Sequence, residues 1–281
     1  MRIPRVCFTF WEGSQFSPLH YATIYSLHKM NPDMDIVIYS SKSFNDNLIA
    51  WDSGEQGVPL TNVRRMGLVS RISPNIKIVY IDFKAEYGLN DNMSPVFKAD
   101  IIRICKLHEH GGLWFDFDIL FIKPIPLFFF ESDSVDMFYF IWAAKDGSWS
   151  RFTTGIVASI PGTDLLTRLR NVVFDIAKDT VNRGYQKLGP VLWENTVFQL
   201  GYNINKTSRL LSNEFVYPYD WINIAELVTT SIDRVSSNTF CIHWFNGNNE
   251  VRKFQNELNL ESIDPTKSTL HKYLHKVFVQ S

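Results

Sequence analysis

The sequence KADIIRICKLHEHGGLWFDFDILFIKPI, residues 98–125, carries the clearest local pattern in the chain. Its first half completes a helical periodicity that predicts a helix over 95–110. Gly111-Gly112 ends that helix, because glycine adopts the left-handed conformation of a helix C-cap without a steric penalty. The long hydrophobic run that follows predicts a strand over 113–122, which stops at Lys123-Pro124. A helix, a glycine turn and a buried strand in succession are typical of α/β proteins.

The rest of the chain alternates between predicted strands and helices on both sides of this stretch. Before it we expect strands at 5–11, 35–39 and 77–82, and helices at 18–30 and 44–51. After it we expect strands at 137–142, 155–159 and 240–244, and helices at 164–177, 191–200 and 268–279. The predicted fold class is α/β, with a Rossmann-like, mostly parallel sheet flanked by helices and ligands at the carboxyl ends of its strands. We expect a single domain over residues 1–281.

Composition excludes several classes of protein. Of the 281 residues, 45% are hydrophobic and 20% are charged, which excludes a disordered chain or a fibrous repeat. With 28 basic and 29 acidic side chains, the net charge of −1 argues against nucleic acid or an acidic membrane as a partner. The three cysteines, Cys7, Cys105 and Cys241, lie in apolar runs and predict buried thiols in a reducing compartment.

The apolar segments are short. The first residues do not resemble a signal peptide. A membrane-spanning helix needs about 18 consecutive apolar residues, and every apolar run in the sequence is shorter. We therefore expect a cytoplasmic protein that is not secreted and has no membrane span, of bacterial origin or viral and acting in the host cytosol.

The predicted helix at 95–110 carries a charged pair on its apolar face. At 100° per residue, Asp100 and Arg103 lie on the same side as Leu107, whereas Lys98 and Glu109 lie opposite. The pair has two interpretations: a buried ion pair that anchors the helix, or a carboxylate and a guanidinium at the edge of a pocket that binds hydroxyls and phosphates.

The predicted strand at 113–122 contains a second constellation. A period of two places Trp114, Asp116 and Asp118 on one face, with the two aspartate Cα atoms about 7 Å apart. Burial of two like charges among aromatic rings is costly unless a cation or hydrogen-bond donors compensate. Carboxylates are the ligands that Mg²⁺ and Mn²⁺ prefer, although two acids at an exposed strand end would also give this pattern.

Residues 98–125 resemble the signature of the sugar transferases that carry a DXD motif, a family that includes yeast-type α-mannosyltransferases, capsule transferases and the glucosylating clostridial toxins. The match comprises Asp100, Arg103, Gly111, Gly112, Trp114, Asp116, Asp118, Lys123 and Pro124. Weaker agreement extends over most of the chain. The sequence departs from the family pattern at Phe8, where a histidine is usual, and at Thr153-Thr154-Gly155, where the family has Asn-x-Gly.

The resemblance implies a GT-A fold and a metal-dependent, retaining glycosyltransferase. Its cofactor is Mn²⁺ or Mg²⁺, held mainly by Asp118, while Asp116 meets the ribose or sugar hydroxyls. His243, near the end of a late strand, matches a third metal or phosphate ligand, although a lone histidine is more often structural. The implied metal ligands are thus Asp118, Asp116 and His243, and the implied catalytic residues are Asp100, Arg103 and Asp116.

The resemblance further implies a nucleotide-sugar donor and a glycan acceptor. Trp11, which ends the first strand, lies where the toxins stack an aromatic ring on uracil, so a UDP-sugar is favoured over a GDP-sugar; the alternative is a core tryptophan. The nucleotide-binding part is expected at about 1–125 and the acceptor-binding part at about 126–281. The implied donor-binding residues are Phe10, Trp11, Asp100, Arg103, Trp114 and Asp116. No nucleophile can be identified, and a front-side displacement needs none.

Two other classes stay open at this point. A non-catalytic carbohydrate-binding protein would use the aromatic residues but has no need of paired aspartates. A sugar-1-phosphate nucleotidyltransferase would also use acids and Mg²⁺, but it expects a basic, glycine-rich loop near the start of the chain. The segment FTFWEGSQFSP, residues 8–18, is not such a loop.

Overall fold

The computed structural model describes residues 1–41, 58–90, 93–143, 150–178, 187–199 and 207–280. Over these residues the strands are β1 (Val6–Phe10), β2 (Gln15–Phe16), β3 (Asp35–Ser41), β4 (Arg64–Arg65), β5 (Ile76–Ile81), β6 (Gly112–Phe115), β7 (Ile119–Phe121), β8 (Met137–Ala143), β9 (Ser150–Ser159), β10 (Ser208–Leu211) and β11 (Cys241–His243). The helices are α1 (Pro18–Met30), α2 (Phe83–Tyr87), α3 (Pro95–His110), α4 (Phe128–Glu131), α5 (Asp164–Lys178), α6 (Pro190–Gln199), α7 (Ile224–Thr229), α8 (Asn249–Glu257) and α9 (Thr269–Phe278).

The central sheet has seven strands in the order β10-β8-β9-β6-β1-β3-β5. Neighbours from β6 to β5 pair in parallel, and β10 pairs in parallel with β8. Strand β9 runs antiparallel to both of its neighbours, β6 and β8. The sheet is therefore mostly parallel, as predicted, with one strand reversed.

Both faces of the sheet are buried. Along β1, Cys7 packs into one hydrophobic cluster and Phe8 into another, as alternation of side chains across a strand requires. A third cluster lies around α7, α8 and α9. All three cysteines are free and fully buried, as the sequence predicts.

Capping residues fix the two helices that border the site. Ser17 and Ser94 accept a hydrogen bond from the third backbone N–H of α1 and α3, and a proline follows each serine. Both helices have the predicted bounds. Helix α3 ends at Gly111, whose φ of 64° and close approach to Pro161 leave no room for a side chain: a Cβ would lie 2.7 Å from the proline ring.

The single strand predicted at 113–122 is wrong, because the chain forms two strands with Asp116–Asp118 between them. The backbone N–H of Asp116 still donates to the carbonyl of Gly155 on β9 (2.7 Å), after which β7 leaves the sheet and pairs with β11. Phe117 turns into the core, with its ring centroid 5.1 Å from that of Trp11. The aspartates thus share a side because of a turn, not because of strand alternation.

The predicted position of Lys98 on the polar side of α3 is also wrong. Lys98 is buried, and its Nζ lies 2.6 Å from Glu12 Oε1. Helix α3 packs against β1, β6 and α5, so most of its circumference is covered. Glu109, near the end of the helix, is exposed as expected.

Several elements differ from expectation in other ways. The elements that were not predicted are α2, α4, α7, α8, β2, β4 and β10. Strand β9 begins five residues before the predicted strand at 155–159. The helix expected at 44–51 lies outside the described residues. Within the described part of the chain, every helix is too short or too polar to cross a bilayer.

Candidate functional site

A cavity of about 770 Å³ opens where β1 and β6 end. Strands β1 and β6 are parallel, so their carboxyl ends meet at the same edge, which is where ligands bind in open α/β sheets. The cavity wall includes every residue that the sequence singled out for the site: Phe10, Trp11, Asp100, Arg103, Trp114, Asp116, Asp118 and His243.

Asp116, Asp118 and His243 form a cluster that can hold a metal ion. One ligand atom from each residue lies within 4.8 Å of the others. Nε2 of His243 is 3.3 Å from Asp118 Oδ1 and 4.0 Å from Asp116 Oδ2. Burial raises the pKa of Asp118 above its ordinary value, so a divalent cation would compensate the paired carboxylates. Two carboxylates and one imidazole are a donor set that can hold a divalent cation.

Strand pairing brings these three residues together. Asp118 immediately precedes β7, and β11 pairs His243 with Ile119. The backbone N–H of Trp244 donates to the carbonyl of Asp118 (2.9 Å). Gly155 faces the cluster closely: a Cβ there would lie 2.6 Å from Tyr217 Oη and 3.0 Å from Cδ2 of His243. Residues more than a hundred positions apart therefore converge on one point.

Arg103 connects Asp100, its partner on α3, to Asp116 of the candidate metal-binding cluster. Its guanidinium donates to Asp100 Oδ1 (2.6 Å) and to Asp116 Oδ1 (2.9 Å), and lies 4.9 Å from the centre of the Trp114 ring. Trp114 donates from Nε1 to the same Asp116 oxygen (2.8 Å). Asp116 is thereby fixed by two donors, one charged and one neutral.

The structure combines both interpretations of the Asp100–Arg103 pair. The two side chains are buried, as a structural pair would be, and both line the cavity, as a pocket pair would. Burial raises the pKa of Asp100 to about 6. Gly189 makes room for this carboxylate, since a Cβ there would lie 3.0 Å from Asp100 Oδ1.

The three aromatic residues expected to bind the donor are buried at the cavity wall. Trp11 is 2% exposed, and its ring centroid lies 4.5 Å from that of His20. Its Nε1 donates to the carbonyl of Gln15 (3.1 Å). Phe10 is also buried, with an edge-to-face contact to Phe83. Trp11 therefore forms part of the core as well as of the cavity.

A buried chain of hydrogen bonds supports Asp118 from behind. The backbone N–H of Asn246 donates to Asp118 Oδ2 (2.9 Å), and Asn246 Oδ1 accepts from Gln255 Nε2 (3.2 Å). Ser17 donates to Gln255 Oε1 (2.6 Å), and Arg252 Nε donates to the carbonyl of Asn246 (3.0 Å). Ser17, Arg252 and Gln255 were not predicted, because no local sequence signal pairs residues that lie so far apart.

Comparison with known proteins gives a family match for part of the chain and several structures of similar fold. Residues 76–213 match a family model described as capsular polysaccharide synthesis protein. The glycosyltransferase GlyE of Streptococcus pneumoniae TIGR4 superposes with a TM-score of 0.51 at 12% identity, covering 100% of this chain and 62% of that chain. The chain has the GT-A glycosyltransferase fold.

Two further glycosyltransferase structures are similar at lower scores. The PaToxG glycosyltransferase gives a TM-score of 0.49 at 18% identity, with 73% of this chain and 72% of that chain covered. The galactosyltransferase LgtC, in complex with donor and acceptor sugar analogues, gives 0.45 at 14% identity, with 90% and 96% covered. No curated protein matches the chain in sequence. The predicted fold is confirmed, and the family match supports the predicted class, a glycosyltransferase.

Proposed function

We propose that the chain is a metal-dependent, retaining glycosyltransferase that transfers a sugar from a nucleotide-sugar, by preference a UDP-sugar, to a hydroxyl group of a glycan. The observation that carries the proposal is the cluster of Asp116, Asp118 and His243 in the same cavity as the Asp100–Arg103 pair. A binding protein has no need of this arrangement, because partly buried carboxylates placed side by side are costly when no cation or reaction uses them.

Asp116, Asp118 and His243 would hold the metal ion. Mn²⁺ or Mg²⁺, when bound there, supplies Lewis-acid neutralisation of the charge that develops on the leaving diphosphate. Asn246 keeps one oxygen of Asp118 fixed through its backbone N–H. Arg103 and Trp114 fix one oxygen of Asp116, which leaves its other oxygen toward His243.

Asp100 and Arg103 would bind the donor sugar and its phosphates. A buried carboxylate at a cavity wall is a strong acceptor for sugar hydroxyls, and a guanidinium donates to oxygens of sugar or phosphate. Arg103 also donates to both Asp100 and Asp116, which lowers the nucleophilicity of these carboxylates. This supports a front-side displacement, in which the departing phosphate takes the proton of the acceptor hydroxyl.

The two parts of the chain would have different roles. The expected nucleotide-binding part, about 1–125, contributes Asp100, Arg103, Asp116 and Asp118. His243 and Gly155 come from the expected acceptor-binding part, about 126–281. The preference for uridine rests on Trp11 and Phe10 at the end of β1. The cytoplasmic location is a separate proposal, which comes from the sequence alone.

A donor panel tests the proposal. UDP- and GDP-sugars are incubated with Mn²⁺ and the protein, and the released nucleotide is measured. We expect release of UDP from at least one UDP-sugar, with turnover from GDP-sugars at least tenfold slower. Release of pyrophosphate would instead indicate a nucleotidyltransferase, and binding without turnover of any donor would indicate a non-catalytic carbohydrate-binding protein.

A further inference from the structure

Trp221 lies at the rim of the cavity, on a segment to which the proposed function assigns no role. Its side chain is 45% exposed, and it lines the same cavity as Asp116 and His243. The other two tryptophans of this cavity, Trp11 and Trp114, are buried. Trp221 thus presents an aromatic surface that a ligand can cover.

A rigid turn holds Trp221 in this position. Asp220 Oδ1 accepts from the backbone N–H groups of Ile222 and Asn223 (both 2.9 Å), and Asn223 Oδ1 accepts from the backbone N–H of Asp220 (2.7 Å). Tyr219, which precedes this turn, is fully buried. A ligand would therefore meet a preorganised ring and would lose little of its affinity to the ordering of a loop.

Aromatic contacts connect Trp221 to the metal cluster. Trp221 meets the ring of Phe245 edge to face at 5.9 Å, and Phe245 lies 4.2 Å from the ring of His243. Phe245 has a φ of 49°, a left-handed conformation that is unusual for a bulky residue and that is found more often at functional sites. This backbone conformation places the Phe245 ring between His243 and Trp221, so the aromatic surface runs from the cluster to the rim.

The position of this surface indicates which substrate it takes. The residues proposed for the nucleotide lie at the end of β1 and on α3, whereas Trp221 and Phe245 belong to the part proposed for the acceptor. An acceptor hydroxyl must approach the metal cluster from solvent, and Trp221 lies at that entrance. A pyranose ring has an apolar C–H face that packs on an indole, while its hydroxyl groups point outward to polar groups and water.

We infer that Trp221 is the stacking platform for the sugar ring of a saccharide acceptor. The inference rests on the proposed function and specifies its acceptor: a carbohydrate with an exposed apolar ring face. A nucleobase is the other flat ligand that the indole could bind, and the experiment separates the two.

The experiment compares Trp221→Ala, Trp221→Phe and, as a matched control on the same turn, Ile222→Ala, whose side chain is 91% exposed. Three quantities are measured for each: UDP affinity by calorimetry with Mn²⁺, hydrolysis of the UDP-sugar without acceptor, and KM for p-nitrophenyl glycosides of glucose, galactose, mannose and N-acetylglucosamine. Ligand-observed NMR with the same glycosides measures their binding without any turnover.

We expect Trp221→Ala to raise the glycoside KM at least fivefold and to abolish the NMR signal of binding. UDP affinity and hydrolysis should stay within twofold of the wild type. Trp221→Phe should recover most of the acceptor binding, and Ile222→Ala should behave as the wild type.

Three results would overturn the inference. An unchanged glycoside KM in Trp221→Ala would exclude the platform, and weakened UDP binding with normal glycoside KM would assign the ring to the nucleobase. The wild type could also hydrolyse the donor but neither transfer sugar to any glycoside nor bind one. That result would exclude a saccharide acceptor and leave the proposed function intact. Absence of donor hydrolysis would instead contradict the proposed function, and glycoside binding by NMR would still test Trp221.

Discussion

Asp116 and Asp118 lie two residues apart, but different regions of the chain hold them. Asp116 is fixed by side chains of the same stretch of sequence, since Arg103 and Trp114 both donate to its Oδ1. Asp118 is fixed from the far end of the chain, by the backbone of Asn246 and by proximity to His243. The two halves of one candidate metal site thus depend on different interactions: charged side-chain contacts for Asp116, and the register of β7 with β11 for Asp118.

This difference predicts different effects for substitutions on the Asp116 side and on the Asp118 side of the candidate metal site. Substitutions around Asp116 should alter charge and donor geometry while leaving the fold in place. Substitutions behind Asp118 should act at a distance, through the loop that follows β11.

The largest effect is expected for Asp118→Asn. The substitution removes a charged ligand from the cluster while preserving shape, so we expect at least a ~100-fold loss in the rate of donor turnover. Circular dichroism and melting temperature should be near those of the wild type. Asp133→Asn, at an exposed ion pair with Arg2, is the matched control and should leave turnover unchanged. Turnover within tenfold of wild type in Asp118→Asn would contradict the ligand role.

Asp100→Ala tests the Asp116 side of the contrast. Removal of one partner from a purely structural buried ion pair costs about 3–5 kcal/mol of unfolding free energy. Here Arg103 keeps its bond to Asp116, so we expect a fall in melting temperature of less than about 5 °C.

Turnover of Asp100→Ala should nevertheless fall about 30-fold, because the donor loses an acceptor for its hydroxyl groups. Activity and melting temperature are measured on the same sample, with Asp100→Asn as the isosteric comparison. If Asp100→Ala has a much lower melting temperature but its folded fraction has normal specific activity, the Asp100–Arg103 pair is structural only.

Gln255→Leu tests the Asp118 side. The side chain of Gln255 bonds to Asn246, and the backbone N–H of Asn246 bonds to Asp118. Loss of such an outer partner lowers metal affinity about 10-fold or more. We expect the Mn²⁺ concentration for half-maximal activity to rise about tenfold, with the maximal rate restored at saturating Mn²⁺.

The control for Gln255→Leu is Thr196→Val, which removes another buried hydrogen bond, to the Leu192 carbonyl on α6. It should lower stability without any change in the Mn²⁺ requirement. An equal Mn²⁺ requirement in Gln255→Leu and wild type would mean that the hydrogen-bond chain behind Asp118 serves packing alone.

The smallest effect is expected for Trp11→Leu. If the indole stacks on the base, its loss weakens UDP affinity by about 1–3 kcal/mol, which is roughly 5- to 150-fold. We expect the lower end of this range, because Trp11 is only 2% exposed in the present conformation. Calorimetry with UDP and Mn²⁺ measures the affinity. Normal UDP affinity together with a lowered melting temperature would assign Trp11 to the core.

The helix pattern could be predicted wherever the signals are local. Pro18 after Ser17 and Pro95 after Ser94 define where α1 and α3 begin, and Gly111 defines where α3 ends. These signals act within a few residues, so the predicted bounds of both helices are correct. Lys98 was misplaced because helical periodicity does not show that α3 is covered on several sides.

The candidate site could be predicted only in part. The spacing of Asp116 and Asp118 indicated a shared side, but the turn that produces it depends on β7 leaving the sheet for β11. That pairing joins segments about 120 residues apart, and no local pattern encodes it. Ser17 and Gln255 were missed for the same reason, since their contact spans 238 residues of sequence.

The proposed role of Asp116, Asp118 and His243 requires donor turnover to depend on a divalent metal. Release of UDP from the preferred UDP-sugar is followed with Mn²⁺, after removal of metal by EDTA, and after Mn²⁺ is added back in excess. We expect turnover to fall to the background rate in EDTA and to recover fully with Mn²⁺, because the paired, partly buried carboxylates need the cation to bind the diphosphate. Undiminished turnover in EDTA would mean that Asp116, Asp118 and His243 do not hold a catalytic metal ion.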